Sequence, residues 1–162
     1  MFSKVQGSFN GSSALLQHAP GDPCLSRVEA RIDVSGVNTG DRHRDEHLRG
    51  PEFFGAEKFP FIIFQSKKFS PPGRGKFFIE GDLELHGVRR PIVLQVSGLN
   101  EVLEMPNAPP RMVCSATTKI NRKDFGLEWS PAIEAGGVLV GNEIEIKLEL
   151  EFIEDGKPIK AS

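Results

Sequence analysis

KFFIEGDLELHGVRRPIVLQVSG, the stretch Lys76–Gly98, predicts two strands joined by a tight turn. In its first half apolar residues at odd positions alternate with polar residues at even positions, Phe78 being the exception. In the second half Ile92, Leu94 and Val96 alternate with Gln95 and Ser97. A pleated strand produces this period of two. Gly87 can adopt a positive φ in the turn, and Pro91, which lacks an N–H, suits the start of the second strand. One apolar face per strand predicts a sheet with one side against an apolar interior and the other in water.

The composition predicts a single globular domain spanning residues 1–162. The net charge of −2 argues against a general binder of nucleic acids or of anionic membranes, which would carry an excess of basic residues. The chain has 12 Phe, 1 Trp and 0 Tyr, and Phe has no polar atom that needs a partner when buried. This composition suits a large dry interior, but it equally suits a solid Phe-rich core.

The two cysteines, Cys24 and Cys114, are too few and too far apart for a metal framework or a disulfide scaffold. We expect free thiols, with Cys114 packing as a small apolar residue in a strand. No segment reaches transmembrane length, and the polar N-terminal stretch MFSKVQGSFNGSS lacks the apolar core of a signal peptide. As written, the sequence predicts a cytoplasmic protein without cofactor or metal.

Further strands are predicted on both sides of the central hairpin, and the Asn10-Gly11 pair is a strong signal for a hairpin turn. The predicted strands are Val5–Phe9, Ser12–Gln17, Val28–Val34, Phe61–Phe69, Met112–Ile120 and Asn142–Phe152. Prolines mark the connections, which are His18–Pro23, Ser70–Gly75 and Glu101–Pro110.

The segment Asp41–Arg49 is highly charged and has no period of two. It predicts one short helix, capped by Thr39 or Asp41 and ended before Gly50. Together with the strands, this pattern predicts an all-β antiparallel barrel or sandwich with one short helix.

Few residues form a pattern that could carry chemistry. His43 and His47 share one face of the predicted helix, but Arg44 stands where a zinc protease motif needs Glu, so a charged structural helix is favoured over a metal site. The glycine-rich run ending at Gly141 lacks the Lys and Ser or Thr of a phosphate loop. Ser130 has no nucleophile-elbow frame.

The turn Asn121–Asp124 could hold a polar head group at the mouth of a barrel. Alternatively it is structural, with Asp124 capping the turn and pairing with Arg122, and we favour this second role.

Several segments match, in order, those of one known family. The pattern R-D-x-H-L at Arg44–Leu48 and the pattern I-N-R-x-D-F-G at Ile120–Gly126 are the most specific, and Glu52 stands where that family often has Asp before two Phe residues. The matching segments are Ser3–Phe9, Val28–Leu48, Phe53–Ser66, Gly81–Leu94, Thr117–Gly126 and Gly136–Ile146. On these residues the chain resembles the YceI-like family of bacterial polyisoprenoid-binding proteins with a lipocalin-like barrel.

The resemblance implies an extended antiparallel lipocalin-like β-barrel that holds a long isoprenoid (polyprenyl or quinone-like) or another lipid, without catalysis. Each methylene moved from water into such a tunnel contributes about 0.8 kcal/mol, so a long chain needs few polar contacts. The implied ligand-binding residues are Phe9, Val28, Ile32, Val34, Phe64, Phe77, Ile79, Leu83, Leu85, Leu94, Val96, Ile144, Ile146, Leu148 and Leu150.

Members of the family usually have one more strand before the stretch Ser3–Phe9. We expect that Met1 is an internal residue taken as the start, or that the chain is truncated; a barrel without its first strand would expose two edges and could pair with a second copy. A signal peptide would lie in the same missing piece, so a periplasmic location is the alternative to a cytoplasmic one.

Three functions follow from these observations, in order of preference. The first is a carrier of a long apolar ligand. The second is a β-sandwich module that binds a protein partner through an open strand edge. The third is a metal-dependent enzyme that uses His43 and His47. A continuous tunnel would favour the carrier, and a packed core would favour the module.

Overall fold

The computed structural model describes residues 6–19, 21–73, 76–99, 102–128 and 141–154. Within them the chain forms ten strands and one α-helix. In chain order these are β1 (Ser8–Phe9), β2 (Ser12–Gln17), β3 (Arg27–Asp33), β4 (Val37–Asn38), α1 (Arg42–Arg49), β5 (Phe61–Gly73), β6 (Lys76–Leu85), β7 (Val88–Ser97), β8 (Val102–Met105), β9 (Ala108–Asn121) and β10 (Glu143–Ile153).

One antiparallel sheet contains eight of these strands in the order β10-β9-β7-β6-β5-β3-β2, with β8 paired to β9. The sheet curls so that its two outer strands, β2 and β10, approach each other, while each keeps its hydrogen-bonded ladder to its inner neighbour. We call the opening between β2 and β10 the seam. The predicted all-β antiparallel fold with one short helix is thus confirmed, as a curled half-barrel.

The β6–β7 hairpin lies in the middle of the sheet, as its sequence predicts. The inward residues of β6, from Phe77 to Leu85, are buried, and its alternate residues face solvent. His86 and Gly87 form the turn with φ values of 54° and 72°, which fits a two-residue type I′ turn. Pro91 is not at the strand start but opposite Asp82 within the ladder. Alternate pairs of a two-residue hairpin lack ladder bonds, and this pair is one of them, so β6 needs no N–H from Pro91.

The N-terminal hairpin predicted around Asn10-Gly11 is wrong. β1 pairs with β4 in a separate two-stranded sheet, whereas β2 pairs with β3. The N–H of Asn10 donates to the carbonyl of Gly36 at 2.9 Å, and an added Cβ on Gly36 would lie 1.9 Å from the carbonyl oxygen of Asn10. This close approach draws the chain away from the path of a simple hairpin; Val5, the first residue predicted in the strand, lies outside the described residues.

Two predicted connections are strands instead. β5 continues through Pro71 and Pro72 to Gly73, because the ladder to β6 shifts register between Ser70 and Gly73 and so needs no N–H from either proline. The segment predicted as the connection Glu101–Pro110 contributes β8 and the start of β9, which form a hairpin.

Helix α1 has the predicted bounds, with Asp41 as its cap. The N–H of Arg44 donates to the Asp41 carboxylate and lowers the pKa of that carboxyl. Asp45 is buried and accepts two hydrogen bonds from Thr39, from its N–H at 2.8 Å and its hydroxyl at 2.6 Å. The Arg44 guanidinium donates to the hydroxyl and the carbonyl of the same threonine. These bonds fasten the helix to the chain that leads into it.

Arg122 is a buried cation in the 3-10 helix that follows β9. Its Nη1 donates to the carbonyl of Leu127 at 2.5 Å and its Nε to the carbonyl of Gly141 at 3.2 Å, so one side chain connects the end of β9 to the start of β10. The structural role favoured for this turn fits these contacts. The predicted cap is wrong, however, since the side chain of Asn121 and not that of Asp124 caps the turn.

Thiol labelling checks the packing of the sheet. Cys114 is buried, and burial raises the pKa of its thiol, whereas Cys24 is exposed. Because the thiolate is the reactive form, a maleimide at neutral pH should modify one thiol in the native protein and two in guanidinium. In the Cys24→Ser variant the native protein should stay unlabelled. Rapid native labelling of that variant would contradict the burial of Cys114.

Replacing Arg122 checks the connection between β9 and β10. Arg122→Met removes the donors of two carbonyls, and each acceptor left without its donor costs roughly 1–3 kcal/mol. We expect the free energy of unfolding in urea to fall by about 3 kcal/mol. The exposed neighbour Lys123 supplies the control, since Lys123→Met should change it by less than about 0.5 kcal/mol. Equal losses of unfolding free energy in the two variants would show that the hydrogen bonds of Arg122 do not stabilise the connection between β9 and β10.

Candidate ligand-binding site

The inward faces of the strands form one apolar cluster, and all fifteen predicted ligand-binding residues belong to it. They divide into two groups by exposure. Eight are buried: Val34, Phe64, Phe77, Ile79, Leu83, Leu85, Leu94 and Val96. Seven are only partly buried: Phe9, Val28, Ile32, Ile144, Ile146, Leu148 and Leu150.

The partly buried residues lie mostly beside the seam. On β10 every inward side chain is partly buried and every outward one is exposed, whereas the inward residues of β6 are fully buried. We call the partly buried inward residues on the two sides of the seam the seam strip. Its members are Leu16, Val28, Ala30 and Ile32 on β2 and β3, and Ile144, Ile146, Leu148, Leu150 and Phe152 on β10.

Three members of the seam strip are absent from the sequence prediction: Leu16, Ala30 and Phe152. Phe152 continues the alternation of β10, and Ala30 that of β3, so both could have been found from the period of two. Leu16 follows Leu15 in a strand without clean alternation, and only the pairing of β2 with β3 shows which of the two faces inward.

Phe9 is the one partly buried predicted residue that lies away from the seam strip. Its ring packs edge-on against Phe54 with 5.7 Å between ring centroids. Phe59 packs in the same way against His86 at 4.8 Å, beside the β6–β7 turn. These rings, α1 and the 3-10 helix after β9 occupy one end of the half-barrel, which we call the helix end.

The eight buried predicted residues form a packed wall. Phe77 has 1% of its surface exposed, and Phe64 and Leu94 have 6% each. A ligand could reach these side chains only by displacing their neighbours, because protein interiors are close-packed. The seam strip is therefore the apolar surface that a ligand would meet first, and contact of any of the fifteen residues with a ligand stays a prediction.

The outer face beside the seam is charged and internally paired. Lys119 Nζ lies 3.3 Å from the Glu143 carboxylate, Lys147 Nζ lies 3.2 Å from that of Glu149, and Arg111 pairs with Glu151. The outward face of β10 is thus solvated, and cations of β9 offset part of its acidic charge, while its inward face is entirely apolar.

The helix histidines show no metal-binding arrangement. His47 Nε2 lies 3.5 Å from the Glu52 carboxylate and its ring packs against Phe53, while the nearby Asp45 is bound to Thr39. In the described ranges no group of three or more His, Cys, Asp or Glu residues could hold a metal ion. Ser130 and the glycine-rich residues 136–140 lie outside these ranges.

No helix among the residues with described structure is long and apolar enough to span a bilayer.

Comparisons with known proteins agree with this architecture. A family model described as the YceI-like domain matches residues 1–152. A UPF0312 protein of Staphylococcus aureus (strain MSSA476) is 30% identical over 153 residues, which are 94% of this chain and 86% of that protein. The crystal structure of the Campylobacter jejuni YCEI protein has a TM-score of 0.82 and 27% identity, and the match covers 96% of this chain and 88% of the other.

A more distant structure shows the fold alone. It is a polyisoprenoid binding domain from Saccharophagus degradans, with a TM-score of 0.57 and 20% identity, and the match covers 78% of this chain and 76% of that one. The lipocalin-like class expected from the resemblance is confirmed by the solved YCEI structures. Since the family model covers nearly all of the curled antiparallel sheet, the chain belongs to the YceI-like domain family.

Proposed function

We propose that this protein binds a long apolar chain, of the isoprenoid or a similar lipid class, along the seam strip and carries or stores it without chemical change. The observation on which this depends is the exposure pattern of β10. Five consecutive inward side chains, from Ile144 to Phe152, remain partly exposed although they face the core. A sheet that only needed a solid core would have its inward residues buried on this strand as they are on β6.

The dimensions and chemistry of the seam strip suit such a ligand. The inward side chains of β10 run from Ile144 to Phe152, and at 3.4 Å per residue they extend over roughly 27 Å. The strip contains only aliphatic side chains and one aromatic ring, so burial alone has to supply the affinity, at about 0.8 kcal/mol for each methylene removed from water. A protein of similar fold from Saccharophagus degradans is named a polyisoprenoid binding domain, and we infer the same ligand class here from the shared fold together with the apolar strip.

The absence of a reaction is part of this proposal. The titratable groups of β10, among them Lys147 and Glu149, which pair with one another, lie on its outward face and not on the strip. A bound hydrocarbon would meet side chains that can neither transfer a proton nor attack a bond. Recognition would therefore depend on length and shape.

The direct test is native mass spectrometry of the protein as purified from bacteria, followed by organic extraction and identification of lipids. We expect a co-purifying long apolar chain, or uptake of a polyprenol when the purified protein is offered one. A protein that comes out empty and takes up no polyprenol would contradict the proposal and favour the protein-binding module.

A substitution on β10 locates the site. Ile146→Asp places an unpaired charge on the partly exposed strip, where the strand can still fold, and we expect polyprenol affinity to fall by about tenfold or more because a buried charge without a partner is costly. Glu145→Gln, on the outward face of the same strand, is the matched control and should bind as the wild type does. Circular dichroism confirms folding. Leu83→Asp is less informative, since Leu83 is buried and its loss would unfold the sheet.

If folded Ile146→Asp protein binds polyprenol as tightly as the control, the ligand lies elsewhere than on the seam strip.

A further inference from the structure

A short hairpin extends from the end of the half-barrel opposite to the helix end. It consists of β8 and the first residues of β9, and we call the segment Val102–Arg111 the arm. Arg111 pairs with Ile153, the last residue of β10, so the residues from Met105 to Ala108 lie beyond the last pair that β10 makes. Pro106 and Asn107 form the turn, with a φ of 62° at Asn107 as in a type II turn.

The arm exposes large apolar side chains on both of its faces. Val102, Leu103 and Met105 have 55%, 51% and 48% of their surfaces exposed. Val102 and Leu103 are consecutive in a strand and therefore point to opposite faces. Val113 on β9 and Ile153 on the neighbouring β10 lie beside the arm and are exposed as well. Such a concentration of exposed apolar side chains marks an interaction site.

The backbone of the arm is poor in hydrogen-bond donors. Residues at the edge of an isolated hairpin usually have backbone N–H groups without a hydrogen-bond acceptor. Three of the five residues 106–110 are proline and have no N–H, so they add no such unpaired donor. An unpaired N–H is costly in an apolar medium but not in water. The tip therefore leaves water at a lower cost than an ordinary hairpin tip.

The charges of the arm argue against binding to an anionic lipid surface. Glu104 is the only charged residue between Val102 and Pro110, and Arg111, which follows, is paired with Glu151. The remaining charge is therefore acidic, and anionic lipids would repel it. A docked protein would cover one face of the hairpin, whereas a bilayer surrounds both, and each face carries at least one large exposed apolar side chain.

We propose that the arm inserts into the boundary between head groups and acyl chains of an uncharged, zwitterionic bilayer. The inner face of the arm is continuous with the seam strip, because Val102 lies opposite Met112, and Met112 lies opposite Phe152. Insertion places the end of the strip against the hydrocarbon of the membrane. The inference goes beyond the proposed function and does not depend on it, since a bilayer can hold the arm whether or not the strip contains a ligand.

Co-flotation with phosphatidylcholine vesicles tests the insertion. The variant with Leu103→Ser and Met105→Ser removes apolar surface from both the middle and the tip of the arm, and we expect its partitioning into vesicles to fall by about tenfold or more. The matched control combines Leu15→Ser and Val93→Ser, two residues of similar exposure outside the arm. Its partitioning should stay within about a factor of two of the wild type, because surface substitutions rarely disturb the fold.

Two further measurements separate the alternatives. Vesicles that also contain phosphatidylglycerol should bind the protein no better than phosphatidylcholine alone; stronger, salt-sensitive binding to them would overturn the proposal in favour of an electrostatic site. In a Cys24→Ser background, an environment-sensitive fluorophore at Met105→Cys should shift to the blue on mixing with phosphatidylcholine vesicles, and the same label at Leu15→Cys should not.

Wild-type protein that does not float would also overturn the proposal and would leave a protein partner or a second copy as the occupant of the arm. The Ile146→Asp variant keeps this result separate from the proposed function. It should lose polyprenol binding and still float with vesicles. The polyprenol assay therefore tests the ligand site on the seam strip, and the flotation assay separately tests insertion of the arm.

Discussion

Burial of the inward face of β6 is the interaction on which the rest of the structure depends. Phe77, Ile79, Leu83 and Leu85 each gain about 2 kcal/mol when removed from water, and the neighbouring strands alone cannot cover them. The sheet curls so that inward residues of β2, β3 and β10 pack against the same apolar cluster. The close-packed wall in the middle and the open seam at the edges are two results of the same curling.

The seam is where we propose that the half-barrel binds its ligand. Where the curl is complete, around β6, apolar side chains fill the interior and leave no room for a ligand. Where it ends, between β2 and β10, the inward side chains of both edges remain partly exposed, and the proposed hydrocarbon ligand would replace water there without breaking a ladder hydrogen bond. Arg122 holds β10 in this position through the carbonyl of Gly141, so a polar contact at the helix end sets the geometry of an apolar surface.

The prolines show which strand boundaries cannot be predicted from the sequence. Pro71 and Pro72, and likewise Pro109 and Pro110, predict connections because proline cannot donate to a ladder. Both pairs lie within strands, at positions where the partner strand shifts its register or does not extend. Only the partner strand decides whether a missing N–H matters, and a sequence does not show its partner. The mispredicted hairpin at Asn10 has the same origin, since the contact with Gly36 is a tertiary one.

The sequence by itself determined which side of each regular strand faces the core, because a period of two survives any arrangement of the strands, and the inward residues of β6 and β10 follow it without exception. It also determined the helix and narrowed its cap to Thr39 or Asp41, since capping is local, and the structure selects Asp41. The tertiary structure alone decided which of the fifteen inward residues are sealed and which meet solvent. Exposure depends on how far the sheet curls and where its edges meet, and both follow from contacts between residues far apart in the chain.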